Sequence, residues 1–333
     1  MKALPEDVET SDLVDALADG WGFDVESADY AAVGAGSYHW VVQDSEGRRG
    51  FVTVDDLDGK TWLGDTRETS FDGLRAAFDT AAALRDAGLA FVVAPIPASG
   101  GETVLRLGPR HTIALFPFVD GRAGAYGHYD PGEPEAVVRL LAELHAATPE
   151  AGAAALSVGL ELPGRRHIEA GLRELDEPWS GGPFSEPTRH ALAAVATDVA
   201  ELLGLADRLA ADVGERGDEW VITHGEPHSA NVMRTDGGLL LLDWDTVSVA
   251  PPERDLWMLV DEAAGAAAVY ADATGRRVDE DAVSYFRLTW DLKDLAERLN
   301  VLRSPHSRTD DTVWSYEWVA NCASMRDQWA SLL

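Results

Sequence analysis

Strand patterns crowd the first 120 residues of this 333-residue chain and helix patterns fill the remainder, an ordering that restricts the fold more than any single motif. Tyr30–Val33 and Tyr38–Val42 read as strands flanking Gly34-Ala35-Gly36-Ser37, and Gly50–Val54 follows the turn Asp44-Ser45-Glu46-Gly47. Such segments, bounded by Gly, Asp and Ser turns, predict an antiparallel sheet. Asp12–Gly20, with Ser11 as N-cap, reads as a short helix, and Phe71–Ala87 as a longer one stopped by Gly88. Phe91–Pro95, Thr103–Leu107 and the apolar run His111–Val119 add further strands. Beyond Pro131 the apolar spacing becomes helical over Glu133–Thr148, Leu172–Leu175, Thr188–Gly214, Pro252–Ala271, Glu280–Leu302 and Asp311–Leu332. Only the strand Trp220–Thr223 and a hairpin, Val232-Met233 to Leu239–Leu242 turning at Asp236-Gly237-Gly238, interrupt it. Sheet first and helices afterwards is the α+β order of two segregated lobes. The boundary near Asp120-Gly121 divides the chain into residues 1–120 and 121–333.

Charge narrows the partners. Asp and Glu number 58 against 27 Lys and Arg, a formal net charge of -31. That field repels nucleic acid and anionic membranes and draws in a cationic small molecule, although solubility alone also accounts for it. No apolar run is long enough for a membrane span, and the acidic N-terminus lacks the apolar core of a signal peptide. Cys322 is the only cysteine, so an intrachain disulfide and a zinc cluster are excluded and a cytoplasmic location fits. Monomer and homodimer are equally compatible with the sequence.

The densest set of chemically capable side chains lies in Val221–Met233 and the segment Leu239-Leu-Leu-Leu-Asp-Trp-Asp245. One loop carries the carboxylate Glu226 and, five positions later, the carboxamide Asn231. The hairpin then returns the chain to Asp243, so that Asn231 at its entry and Asp243 at its exit sit side by side. An oxygen pair of this kind suits Mg²⁺, which keeps several waters and binds through one or two carboxylates plus phosphates. Glu226 beside it is placed to accept a proton from an attacking hydroxyl. His224 reads as a structural hydrogen-bonding residue, whereas His228 and Asp245 are open between support and solvent.

His224-Gly225-Glu226, Asn231 and Asp243 together resemble the catalytic loop and metal aspartate of the aminoglycoside phosphotransferase and choline kinase family, which shares the protein-kinase fold. Ala250-Pro-Pro-Glu-Arg-Asp-Leu-Trp257 and Leu141-Ala-Glu-Leu-His-Ala146 are similar to its flanking segments, and Tyr285–Leu295 resembles the spectinomycin-phosphorylating subgroup. The resemblance implies a small antiparallel nucleotide-binding lobe and a larger helical catalytic lobe. It also implies an O-phosphotransferase that uses ATP or GTP with Mg²⁺ to phosphorylate a small alcohol, an aminoglycoside-like or other antibiotic. In that reading Gly34, Gly36 and Ser37 cover the phosphates, and Leu115–Val119, with Phe116 and Phe118, forms the hinge that meets the purine. Asp255, Glu262, Trp290 and Asp294 are then candidates for a cationic acceptor.

Two positions depart from the family pattern. Thr53 stands where the third strand carries a phosphate-holding lysine, and only Lys2, Lys60 and Lys293 exist anywhere. Lys60, in the following loop, either supplies that charge or is a solvated lysine. Glu226 replaces the usual aspartate and is one methylene longer. Two alternatives therefore stay open: a pseudokinase that binds nucleotide without turnover, and a metabolite kinase of the choline or homoserine type.

Overall fold

The computed structural model describes residues 4–5, 7–34, 36–60, 62–148, 155–157, 159–214 and 220–330, with side chains to residue 322. Met1–Ala3, Ala35 of the glycine turn, Thr61 and the expected helix end at Leu332 lie outside the described residues. The chain packs as two compact units interleaved in sequence, Met1–Val158 with Trp220–Val278, and Gly159–Glu219 with Asp279–Leu333.

The first unit opens with α1 (Thr10–Trp21), then β1 (Val25–Ala31), β2 (Tyr38–Asp44) and β3 (Arg49–Asp56), α2 (Arg67–Asp86), β4 (Leu105–Leu107) and β5 (His111–Pro117). The strands form one antiparallel sheet in the order β1-β2-β3-β5-β4. Strand alternation sends Trp40, Val42, Val52 and Val54 to one face, against Leu13 and Leu17 of α1. Phe51, Ala114 and Phe116 occupy the other, with Leu74 and Phe78 of α2. Thr53 and Asp55 lie on this second face by the same period of two. Phe91–Pro95, expected as a strand, contributes only an isolated bridge from Val92 to Leu241. β1 begins five residues earlier than Tyr30, because its polar stretch pairs along the sheet edge with β2.

After the two-residue β6 (Arg122–Ala123), α3 (Glu133–Ala146) buries Val137, Val138, Leu141 and Leu144 in the main core of this unit. β7 (Val221–Thr223), the hairpin β8 (Val232–Thr235) and β9 (Gly238–Leu241), β10 (Ser248–Ala250), α6 (Glu253–Glu262) and α7 (Ala266–Thr274) complete it. The single helix expected over Pro252–Ala271 is two helices, broken where Ala263 turns extended. The second unit holds α4 (Arg165–Arg173), α5 (Ser185–Gly214), α8 (Glu280–Arg303) and α9 (Asp310–Ala330) around Ile168, Leu192, Leu288, Leu292 and Leu299. The fold is α+β, a small antiparallel sheet with a larger helical part.

Candidate active site

The loop from His224 to Asn231 is placed by a buried clasp. Asp255, on the first turn of α6, is 0% exposed. Its two carboxylate oxygens accept from the backbone N–H groups of His224 (2.9 Å) and Gly225 (2.6 Å), while His145 Nε2 lies 3.1 Å from Oδ2. Burial alone pushes the Asp255 carboxyl up, but the His145 hydrogen bond and the charges of His145, His224 and Arg254 outweigh it, so its pKa falls below the ordinary value. Gly225 needs φ +96°, and a Cβ there would overlap the Arg254 guanidinium. That guanidinium donates to Thr223 Oγ1 (2.8 Å) and the Thr246 carbonyl (3.0 Å). The expectation that Asp255 holds a cationic acceptor is corrected here: with no exposed surface and both oxygens bound to the loop backbone, it positions residues instead.

His224 is buried against Trp244, ring centroids 4.6 Å apart. Its Nε2–H donates to the Leu242 carbonyl at 2.7 Å and Nδ1 accepts from Glu226 N–H at 3.3 Å, a hydrogen-bonding role. Burial holds its pKa below the ordinary value.

The hairpin register sets Val232 opposite Leu241, and Leu242 N–H donates to the Asn231 carbonyl at 2.9 Å. Asn231 and Asp243 are thus brought to the same end of the hairpin. Asn231 Nδ2 donates to the Glu226 carbonyl at 2.9 Å, which leaves the amide oxygen for a cation. Trp244 is drawn fully into the core, its Nε1–H bonded to the Leu241 carbonyl, so Asp243 and Asp245 flank a buried anchor. Asp243 has φ 62°, the one non-glycine residue with positive φ among the described residues, and such strain collects at functional sites.

Asp243 keeps an exposed carboxylate, yet protein crowded around it displaces solvent. That desolvation, then the Asp245 charge, raises its pKa well above the ordinary value; Lys60 opposes, and Glu226 and Asp55 add to the rise. Like-charged oxygens gathered in this way favour a bound cation. Among the described residues no three His, Cys, Asp or Glu side chains form a ready-made metal cage. A hard ion would therefore rest on Asp243 and Asn231 and complete its shell with water and phosphate, a donor set that fits Mg²⁺.

Lys60 is not a solvated loop lysine: it is 2% exposed. Its Nζ lies 2.5 Å from Asp245 Oδ2, 2.9 Å from Asp55 Oδ1 and 3.1 Å from Ser37 Oγ. Burial pushes the ammonium down, but Asp245, Asp55 and Asp243 overcome it and raise its pKa. Thr53 is buried on β3, its Oγ1 3.2 Å from Nδ1 of its cross-strand neighbour His39. Burial pushes the His39 pKa down to about 4, which keeps that ring neutral. Asp79, on α2, accepts from the Thr103 hydroxyl at 2.7 Å. Gly34 has φ +68°, and a Cβ on Gly36 would lie 3.8 Å from Lys60 Nζ. Phe116 packs edge-to-face on Phe78 at 5.4 Å, and Phe118 lies under the Arg49 guanidinium at 4.0 Å.

One feature escaped sequence reasoning. The segment 125–129 is clipped to the loop 224–231: Ser229 Oγ donates to the Ala125 carbonyl (2.5 Å) and Tyr129 OH to the Pro227 carbonyl (2.6 Å). This presents Tyr126, 63% exposed, edge-on to His228 at 4.9 Å, and His228 Nε2 lies 3.9 Å from Glu226 Oε2. Glu262 is exposed and close enough to help raise the Tyr129 pKa, after burial and Glu133. Trp290 and Asp294 lie on α8 in the other compact unit, where Lys293 sits over the Trp290 ring at 5.5 Å and Asp294 pairs with Arg298 at 3.2 Å. A cavity of about 530 Å³ is lined by Arg85, Val92, Pro95, Val119 and Leu240 among others, and so borders the segment Leu115–Val119.

An acidic hairpin exit beside a glycine turn and the Glu226 carboxylate has the form of a phosphoryl-transfer site, and the class is a small-molecule phosphotransferase of kinase-like fold. Within that class the chain belongs to the phosphotransferase enzyme family (APH), which matches residues 26–286. It is 26% identical over 272 residues to Protein StrN of Streptomyces griseus, covering 77% of this chain and 79% of that protein. Its fold is similar to that of spectinomycin phosphotransferase APH(9)-Ia in complex with ADP and spectinomycin, with a TM-score of 0.73, 16% identity, and 97% and 100% of the two chains covered. Amicoumacin kinase hAmiN, in complex with AMP-PNP and Ca²⁺, is similar at a TM-score of 0.62 and 12% identity, with 96% and 94% covered.

Proposed function

We propose that this phosphotransferase moves the γ-phosphate of ATP or GTP onto a hydroxyl of a small, cationic antibiotic of the aminoglycoside or aminocyclitol kind. The observation that carries the reading is the hairpin exit itself: Asp243 in left-handed backbone, acidic surroundings, and the Asn231 carbonyl accepting from Leu242 N–H just before it. Residues 1–120 serve the nucleotide, with Gly34, Gly36 and Ser37 over the phosphates and the backbone of Phe116 to Phe118 along the purine. Residues 121–333 hold the catalytic loop and the acceptor.

Asp243 and Asn231 would hold Mg²⁺, which supplies neutralisation of phosphate charge when bound. Glu226 accepts the acceptor's hydroxyl proton as that oxygen bonds to the γ-phosphorus, and the bond from phosphorus to the β,γ-bridging oxygen breaks, leaving a nucleoside diphosphate. Tyr126 and Glu262 flank the catalytic loop where an acceptor would lie, and Trp290 and Asp294 remain acceptor candidates. The complexes formed by the spectinomycin and amicoumacin enzymes support an antibiotic acceptor, and the net charge of -31 supports a cationic one.

The test is a thermal-shift titration with ATP and with GTP, each with and without Mg²⁺, on wild type and Asp243→Asn, followed by transfer assays with spectinomycin and related amino-cyclitols. A Mg²⁺-dependent rise lost in the variant, with transfer to such an acceptor, supports the reading. Binding without transfer to any alcohol favours the pseudokinase alternative, which the absence of a lysine at Thr53 keeps open.

A further inference from the structure

A kinase of this architecture needs one cation on the nucleotide phosphates, and the usual strand position here is Thr53, turned to His39. We infer that Lys60, from the loop after β3, is the phosphate-holding cation of this enzyme, with Asp245 and Asp55 as the acidic partners that aim it. The inference rests on the phosphotransfer reading above and assigns a residue within it.

An ammonium on a surface loop ordinarily extends into water, because withdrawing it costs several kcal/mol unless partners replace the solvent. Lys60 is withdrawn nonetheless, and its three donors meet three segments. Ser37 ends the glycine turn, Asp55 is near the end of β3 on the face shared with Thr53, and Asp245 follows the metal aspartate by two residues. These are the segments a nucleotide's phosphates must touch. The cluster is also not self-sufficient: Asp55 and Asp245 carry two negative charges against one ammonium, and Asp243 adds a third within Coulomb range. That excess favours a further cation on Asp243, and the phosphates that accompany it would come within reach of Lys60.

Ser37 makes the site ready for an anion. Its hydroxyl donates to Asp55 Oδ1 at 2.5 Å and accepts from Lys60 at 3.1 Å, so the ammonium's weakest partner is a neutral oxygen. A phosphate oxygen in place of Ser37 Oγ keeps all three Lys60 donors satisfied and exchanges a neutral acceptor for a charged one, a stronger bond. The two carboxylates stay as the aim. The cation is thereby tied to the hairpin that carries Asp243 rather than to α2. Lys293, on α8, sits over the Trp290 ring at 5.5 Å and near Glu297 at 4.0 Å.

Calorimetric titration with a non-hydrolysable ATP or GTP analogue and Mg²⁺, alongside steady-state kinetics, tests the assignment on wild type, Lys60→Met, and Lys60→Met combined with Thr53→Lys. Lys60→Met should weaken nucleotide binding or lower kcat/KM for nucleotide by about 10²- to 10³-fold, and Thr53→Lys should restore at least about tenfold of it by returning a cation from the strand. A structural role alone would lower the melting temperature without any rescue from Thr53→Lys. Lys60→Met that binds as wild type does, or a loss unrelieved by Thr53→Lys, overturns the assignment. Absence of nucleotide binding by wild type overturns the phosphotransfer reading and this assignment together. Should Lys60→Met not fold, wild type is treated with an acyl-phosphate nucleotide probe, in which the lysine amine attacks the acyl carbon, an amide forms and the nucleotide phosphate leaves. Modification of Lys60 blocked by excess Mg²⁺-nucleotide supports the assignment; modification confined to Lys2 or Lys293, or none at Lys60, overturns it.

Discussion

The loop from His224 to Asn231 stands between two acidic regions of opposite character. On one side Asp255 is sealed from water, yet its carboxylate is held below the ordinary pKa because two backbone N–H groups and His145 satisfy it. On the other side Asp243 keeps its carboxylate open, yet its pKa is raised, because desolvation and the neighbouring Asp245 charge outweigh Lys60. The same side chain is thus complete in one place and short of positive charge in the other. A completed carboxylate holds structure; an incomplete one calls for a ligand. Position beside the loop does not separate these roles, whereas the balance of donors does.

The sharpest way to break the comparison is to neutralise each member. Asp243→Asn should lower turnover by roughly 10³- to 10⁵-fold, the range for losing phosphoryl-charge neutralisation, while its melting temperature equals or exceeds that of wild type, since a repelling charge is gone and Asn tolerates left-handed backbone. Loss of folding in this variant would mean that Asp243 is structural after all. Glu226→Gln should lower turnover by roughly 10²- to 10⁴-fold with nucleotide binding retained; near-normal turnover removes it from the role of base.

Asp255→Asn addresses the opposite member. Its amide nitrogen would face the His224 or Gly225 N–H, two donors together, so a loss of about 3 kcal/mol or more in urea unfolding is expected. The signs of the pH dependence differ as well. The lowered Asp255 pKa contributes stability that is present above about pH 4 and is lost as pH falls through its folded value. The raised Asp243 pKa contributes stability that is full below about pH 4 and is lost as pH rises through its folded value. The wild-type advantage over Asp255→Asn should therefore shrink on acidification, and wild type should gain on Asp243→Asn over the same series. Parallel slopes for the two variants would erase the distinction.

The parts of this arrangement visible in the sequence are those set by short spans. The Glu226 to Asn231 loop and the hairpin to Asp243 close over a few residues, so spacing and strand period alone bring them together. The β1-β2-β3 meander is legible for the same reason. What is not legible depends on distant partners. Lys60 finds Asp245 across 185 positions, and no local pattern distinguishes that from a solvated lysine. Asp255 reaches the loop across some thirty positions and reads locally as a helix-start carboxylate. The break between α6 and α7 falls at Ala263-Ala264-Gly265, where one glycine among alanines is too weak a signal to foretell it. Tyr126 is exposed by the clip between Ser229 and Ala125, a contact across 104 positions.

The smallest effect belongs to a carboxylate that shares the good geometry of the clasp without its burial. Asp207, in the other compact unit, receives Arg165 through two bonds of 2.5 and 3.0 Å, as well formed as any around Asp255. Its side chain is 59% exposed, however, so water would solvate it nearly as well in the absence of the arginine, and salt screens the attraction. Asp207→Ala should change stability by less than about 1 kcal/mol and do so less at 0.5 M than at 0.05 M salt, concentrations chosen on the order of those that bracket strong screening. Urea midpoints for the variant and wild type at the two salts provide the measurement. A loss as large as that of Asp255→Asn would show that bond geometry alone decides what a carboxylate contributes here, and the contrast between Asp255 and Asp243 would then need another cause than the completeness of their surroundings.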